Sequence, residues 1–99
     1  MSNTMTFNQA KDRYLKTLEQ YVPIVARVHG GNHPEFHKVR SVFDTIVEKV
    51  KVNTDKPELS NEFSNLREIT NNYTVPGDVC ESYEAVYKML EVIDNSYSK

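Results

Sequence analysis

The three histidines of this chain all fall in one short segment, His29-Gly30-Gly31-Asn32-His33-Pro34-Glu35-Phe36-His37, with a carboxylate between the last two. His33 and His37 are four positions apart at the start of a predicted helix. That spacing lets two imidazoles point to one side and share iron or another divalent metal, with Glu35 or His29 as a further donor. The same residues also suit a purely structural role. Histidine is at home in interhelical turns, and in a first turn the helix dipole opposes its positive charge, which favours a neutral imidazole without any metal. The single cysteine, Cys80, falls in the predicted first turn of the last helix, where the helix field lowers a thiol pKa. The alternative for Cys80 is a small core side chain, since no histidine lies near it in sequence to act as a base. No serine-histidine-acid pattern, phosphate-binding loop, paired cysteines or nucleotide fingerprint occurs, so no enzyme is expected.

The elements that must position these groups are helices. Thr6 with Gln9, Asp55 with Glu58, and Asp78 with Glu81 each have the spacing of a capping box, and Asn32 with Glu35 is a fourth, looser case. Pro34 and Pro57 sit just inside two of these starts, where a missing N–H costs nothing. Apolar residues then recur three and four apart: Phe7, Ala10, Tyr14, Leu18, Tyr21, Val25 and Val28 in the first stretch, and Phe36, Val39, Phe43, Ile46 and Val50 in the second. Leu59, Phe63, Leu66 and Ile69 mark a third stretch, and Val79, Tyr83, Val86, Leu90, Ile93 and Tyr97 a fourth. The spacing predicts helices over about 6–29, 33–51, 56–71 and 78–97 of a single domain spanning 1–99. Gly30-Gly31 is expected to supply a left-handed residue that closes the first helix, and Asn71 to Gly77 form a turn-rich link. Short links favour antiparallel neighbours, so the fold class is all-α, a compact antiparallel up-down four-helix bundle. Pro23 stands inside the first helix and predicts a kink or a break. The first helix is net positive (Lys11, Arg13, Lys16 and Arg27 against Asp12 and Glu19) and the last net negative, a weak bias towards pairing them.

Bulk properties narrow the function classes. The 99 residues suffice for one domain, and no apolar run approaches the roughly 20 residues of a membrane span, so no membrane is expected. The start lacks a basic segment followed by an apolar one, so no signal peptide is expected, and a lone cysteine fits a reducing compartment. The expected location is cytoplasmic. A net charge of −2 gives no excess of cations for phosphates, so no nucleic acid is expected. Asn72-Tyr73-Thr74 matches a glycosylation sequon in form only. The six tyrosines fall mostly on the apolar stripes and serve as core, with surplus rings such as Tyr87 and Tyr97 the candidates for an interface.

Two stretches carry a family likeness. One runs from Tyr21-Val22-Pro23 through Val28-His29-Gly30-Gly31-Asn32-His33-Pro34 to Phe43-Asp44-Thr45. The other runs from Leu66 through Thr70-Asn71-Asn72-Tyr73-Thr74-Val75-Pro76-Gly77-Asp78-Val79-Cys80 to Val86-Tyr87. In order and content they resemble the iron-sulfur cluster repair (RIC) proteins, di-iron proteins with a hemerythrin-like four-helix domain. The resemblance implies that fold, and a stress-response role. It also implies where the iron pair would be held: by single histidines on two helices and by His-x-x-x-Glu pairs on the other two. At the matching positions this chain has Leu15 on the first helix, Asn53 and Pro57 around the second, and Lys56 near the third, while Lys99 falls about where the last pair would begin. The resemblance thus implies a shortened, hemerythrin-like bundle that keeps the scaffold without the iron pair and has no cofactor. Such a protein would bind a protein partner, for example an iron-sulfur protein, in iron-sulfur or nitrosative and oxidative stress physiology.

Two other classes of reading stand beside it. One is a metal-binding or iron-donating protein built on His29, His33, Glu35 and His37, completed across a homodimer. The other is a small structural helical domain without a ligand.

Overall fold

In a computed structural model, which describes residues 6–53 and 57–98, the chain forms four helices: α1 (Phe7–His29), α2 (Glu35–Val52), α3 (Ser60–Thr70) and α4 (Glu81–Ser98). The expected all-α four-helix bundle is what the chain adopts. Helix α1 packs against both α4 and α2, and α2 packs against α3. The apolar stripes read from the sequence meet along the axis. Leu18, Val22, Phe36, Val39, Leu66, Tyr83 and Val86 are each fully enclosed. Each such large side chain contributes about 1.5–3 kcal/mol by leaving water. No helix among the described residues is long and apolar enough to cross a membrane.

Two aromatic clusters close the ends of the bundle and show that α1 and α4 are antiparallel. At one end Phe7 meets the edge of Tyr97 with centroids 5.3 Å apart, and Tyr97 also packs on Phe63 at 5.3 Å. The Tyr97 hydroxyl accepts from the Leu59 N–H at 2.9 Å and donates to the Pro57 carbonyl at 3.2 Å, so the entry to α3 is tied to α4. At the other end His29 meets Tyr83 edge-on at 5.4 Å.

The helix boundaries depart from the expected ones where side chains find distant partners. The Thr6 capping box forms as expected: Gln9 N donates to Thr6 Oγ1 at 3.1 Å, and Thr6 N donates to Gln9 Oε1 at 3.0 Å. Two others do not form, because His33 claims the acidic side chain of each. Asp78 turns to His33, so α4 begins only at Glu81. Glu35 also turns to His33, and α2 starts behind Pro34 with no side-chain cap. Asp55 lies outside the described residues. Pro57 is buried ahead of α3, which starts at Ser60 and not inside the proline as expected. Pro23 breaks nothing: α1 runs uninterrupted from Phe7 to His29 around it.

The glycine expectation fails for a steric reason. Gly30 is right-handed (φ −61°), and no glycine has positive φ among the described residues. What Gly30 supplies is room, since a Cβ there would collide with the Ala26 carbonyl and the His37 imidazole. The left-handed turn sits instead after α3, where Asn71, Asn72 and Tyr73 have φ of 54°, 59° and 63°. Each such non-glycine residue costs roughly 1–2 kcal/mol. Hydrogen bonds offset that cost. Asn72 N donates to Arg67 O at 2.8 Å, Tyr73 N to Thr70 Oγ1 at 2.7 Å, and Thr74 N to Thr70 O at 3.0 Å.

The anchor of this turn is the Tyr73 hydroxyl, which donates to Asp94 Oδ2 at 2.8 Å inside the bundle. Arg67 Nε reaches the same oxygen at 3.2 Å, and Asp94 is only 3% exposed. Burial, then the Asp94 hydrogen bond, push the Tyr73 phenol well above its ordinary range. We expect Tyr73→Phe to lower stability by about 1.5–3 kcal/mol, the worth of a hydrogen bond to a charged group. Urea unfolding checks this, and an unchanged midpoint would show that the hydroxyl does not hold the turn.

Candidate functional site

Tyr83, on the inner face of α4, is the residue around which the chemistry-bearing groups collect. Its ring is fully buried and packs on Phe36 at 5.0 Å, Tyr87 at 4.9 Å, His29 at 5.4 Å and His33 at 5.6 Å. Phe36 in turn lies nearly parallel to Tyr87, with centroids 6.3 Å apart. The sequence places these residues there because Phe36, Tyr83 and Tyr87 occupy core positions of α2 and α4, and the α1–α2 turn folds back over the start of α4. Two chain segments about fifty residues apart thus converge at one end of the bundle.

Two contacts join the segments. First, His33 bridges two carboxylates, with Nδ1 3.0 Å from Glu35 Oε2 and Nε2 2.9 Å from Asp78 Oδ1. The Glu35 oxygen also accepts from the Tyr83 hydroxyl at 3.5 Å, and that hydroxyl lies 3.0 Å from the Tyr87 hydroxyl. A polar chain therefore runs from exposed Asp78 inward through His33 and Glu35 to the buried tyrosine pair. Desolvation and the neighbouring Tyr87 hydroxyl hold the Tyr83 phenol far above its ordinary range, so it remains protonated. Second, His29 Nε2 lies 3.1 Å from Cys80 Sγ, across 51 positions of sequence. The thiol is exposed and stands directly before α4. Hydrogen bonds from the Tyr83 backbone N–H and from His29 lower its pKa from 9.0 to about 7. The thiolate is therefore more accessible near neutral pH than in an ordinary cysteine.

The structure divides the four residues singled out as a metal set. His29 goes to Cys80, His33 and Glu35 to each other, and exposed His37 lies beside Gly30. Among the described residues, no three His, Cys, Asp or Glu side chains are grouped so as to hold a metal ion. The positions implied for an iron pair are filled otherwise. Leu15 packs against the core, Asn53 closes α2 and Pro57 is buried under Tyr97, while Lys56 lies outside the described residues. These residues do not supply the donor set of two irons. The Cys80 partner and the Asp78 role escape a sequence reading because neither is set by local spacing. The one available signal is that His29 and Cys80 each flank a connection at the same end of an up-down bundle.

No family model matches the chain, and no solved structure matches it.

The His33 bridge carries a pH dependence whose sign is set by its environment. Desolvation opposes the charged form, but the hydrogen bonds that His33 donates to Glu35 and Asp78 outweigh it and raise the pKa above 6.5. A raised folded-state pKa means that the bridge stabilises fully below 6.5 and fades as pH rises through the raised value. We expect His33→Leu to lower the melting temperature more at about pH 5.5 than at about pH 8.5. Thermal unfolding of both proteins across that range checks it, and an equal loss at both ends would exclude a charged bridge.

Proposed function

We propose that this chain is a small partner-binding helical protein, and not a catalyst, that meets its partner through the end of the bundle where Cys80 and His29 sit. The observation that carries this reading is the 3.1 Å contact between His29 Nε2 and Cys80 Sγ, which gives an exposed thiol a partner for its proton. A thiol with a pKa of about 7 is poised for exchange near neutral pH. Attack by the thiolate on a partner protein's disulfide forms a mixed disulfide and releases the partner's other sulfur as a thiolate, which takes up a proton from the imidazolium or from solvent. The surroundings favour a protein over a small molecule. A depression beside the site, lined by Glu35, Thr70, Asn71, Thr74 and Tyr87, has a volume of about 340 Å³ and stands open to solvent, a shape that suits a protein surface more than an enclosed small molecule.

The resemblance to iron-sulfur cluster repair proteins supplies the setting for this proposal, iron-sulfur or nitrosative and oxidative stress in the cytoplasm, with an iron-sulfur protein as the partner class. The residues that carry that resemblance include both halves of the site, the Val28 to Pro34 turn and the connection ending at Cys80. The polar and aromatic contacts at Tyr83 join the two stretches in the fold.

Reaction with an aromatic disulfide reagent, measured against pH, tests the thiol. We expect the wild-type rate to track a titration near 7, and His29→Phe to move the midpoint towards 9.0 without reaching it, because the Tyr83 N–H bond remains. A midpoint near 9.0 in the wild type, or one unmoved by the substitution, would remove His29 from the thiol's chemistry. Cys80→Ser should abolish disulfide-linked capture of a partner while leaving the melting temperature nearly unchanged, since the thiol is exposed.

A further inference from the structure

The outer face shared by α1 and α4 carries an apolar valley between two charged ridges. On α1, Tyr21, Ile24 and Val28 lie at i, i+3 and i+7 and are 36%, 47% and 62% exposed, unusual for residues on an otherwise buried pattern. On α4, Ala85, Met89 and Val92 form the matching stripe, with Val92 36% exposed and the other two half-buried. Both stripes open on the same side. The opposite edge of α4 is engaged with α3 through the Asp94 contact to Arg67, and the opposite edge of α1 faces α2, where Gly30 meets His37.

Beyond the valley, α1 exposes Arg13, Lys16, Gln20 and Arg27, while α4 exposes Glu81, Glu84, Lys88 and Glu91. None of these charges takes part in an ion pair among the described residues. Their levels along the bundle match. With His29 beside Tyr83, antiparallel packing puts Arg27 level with Glu84 and about a turn from Glu81, and with Phe7 beside Tyr97 it puts Arg13 level with Glu91.

We propose that this face pairs with the same face of a second copy of the chain, about a two-fold axis parallel to the helices. That axis keeps levels and exchanges sides, so α1 of each copy lies over α4 of the other, with Arg27 at the level of Glu84 and Arg13 at the level of Glu91. The perpendicular two-fold would lay α1 on α1, with its arginines opposed. The 18 residues of α4 span about 27 Å, and two helices side by side about 20 Å. The face thus offers on the order of 500–600 Å² per copy, short of the roughly 800 Å² of a standard interface. The dimer is accordingly weak, concentration-dependent and salt-sensitive. This pairing is independent of the thiol chemistry.

Sedimentation equilibrium over a micromolar concentration series tests it, with far-UV circular dichroism confirming that each variant is folded. We expect the wild type to self-associate less as salt is raised, and Ile24→Glu, which alters an exposed position, to weaken association at least about tenfold. Arg27→Glu and Glu81→Arg should each weaken it, and the double variant should recover it. A wild type that stays monomeric throughout overturns the proposal and leaves the face to another protein. So does a dimer indifferent to Ile24→Glu, which would use some other surface. Single charge reversals that the double variant fails to rescue would overturn the two-fold axis proposed.

Discussion

Burial of the Tyr83 ring is the constraint on which the rest of this molecule's chemistry depends. A large aromatic side chain removed from water anchors α4 to α2 through Phe36, and its two remaining edges are covered by the imidazoles of His29 and His33. Those imidazoles cannot cover the ring without being carried to the start of α4, which brings one to Cys80 and the other to Asp78. The tyrosine's own N–H then completes the environment of the thiol. A single packing event in the core therefore arranges an ion bridge, a lowered thiol pKa and the closure of one end of the bundle.

This coupling makes the site a matter of topology more than of motif. The segment with all three histidines looks in sequence like a local metal cluster, because spacing is the only geometry that sequence displays. In three dimensions each imidazole has a different destination. His33 satisfies both ring nitrogens with carboxylates, and His29 finds sulfur. What local proximity suggests as one site becomes several contacts, two of which recruit Asp78 and Cys80 from the distant link before α4.

The helical content, the core stripes and the Thr6 box are legible in the sequence because each rests on interactions within a few residues, the range over which spacing reports faithfully. The starts of α2 and α4 are not, since Glu35 and Asp78 have two competing uses and the contact with His33 prevails in both. Gly30 looks in sequence like a conformational device and is in fact a spatial one, a distinction that depends on where His37 lies. The contact between His29 and Cys80 cannot be read from spacing at all. Only the up-down path of the chain, returning to the same end after α3, makes neighbours of residues 51 positions apart.

The turn at Asn71, Asn72 and Tyr73 narrows what this chain can become. Three successive non-glycine residues have φ between 54° and 63°, a region of backbone space that L-amino acids tolerate poorly. Substitution there is confined to a small alphabet: glycine, asparagine and aspartate at the first two places, and at the third a side chain whose far end is gripped firmly enough to repay the crowding near its backbone. The surface of the bundle can drift widely while this tripeptide stays nearly fixed, so its composition is a steric signature by which other chains folding the same way would be recognised.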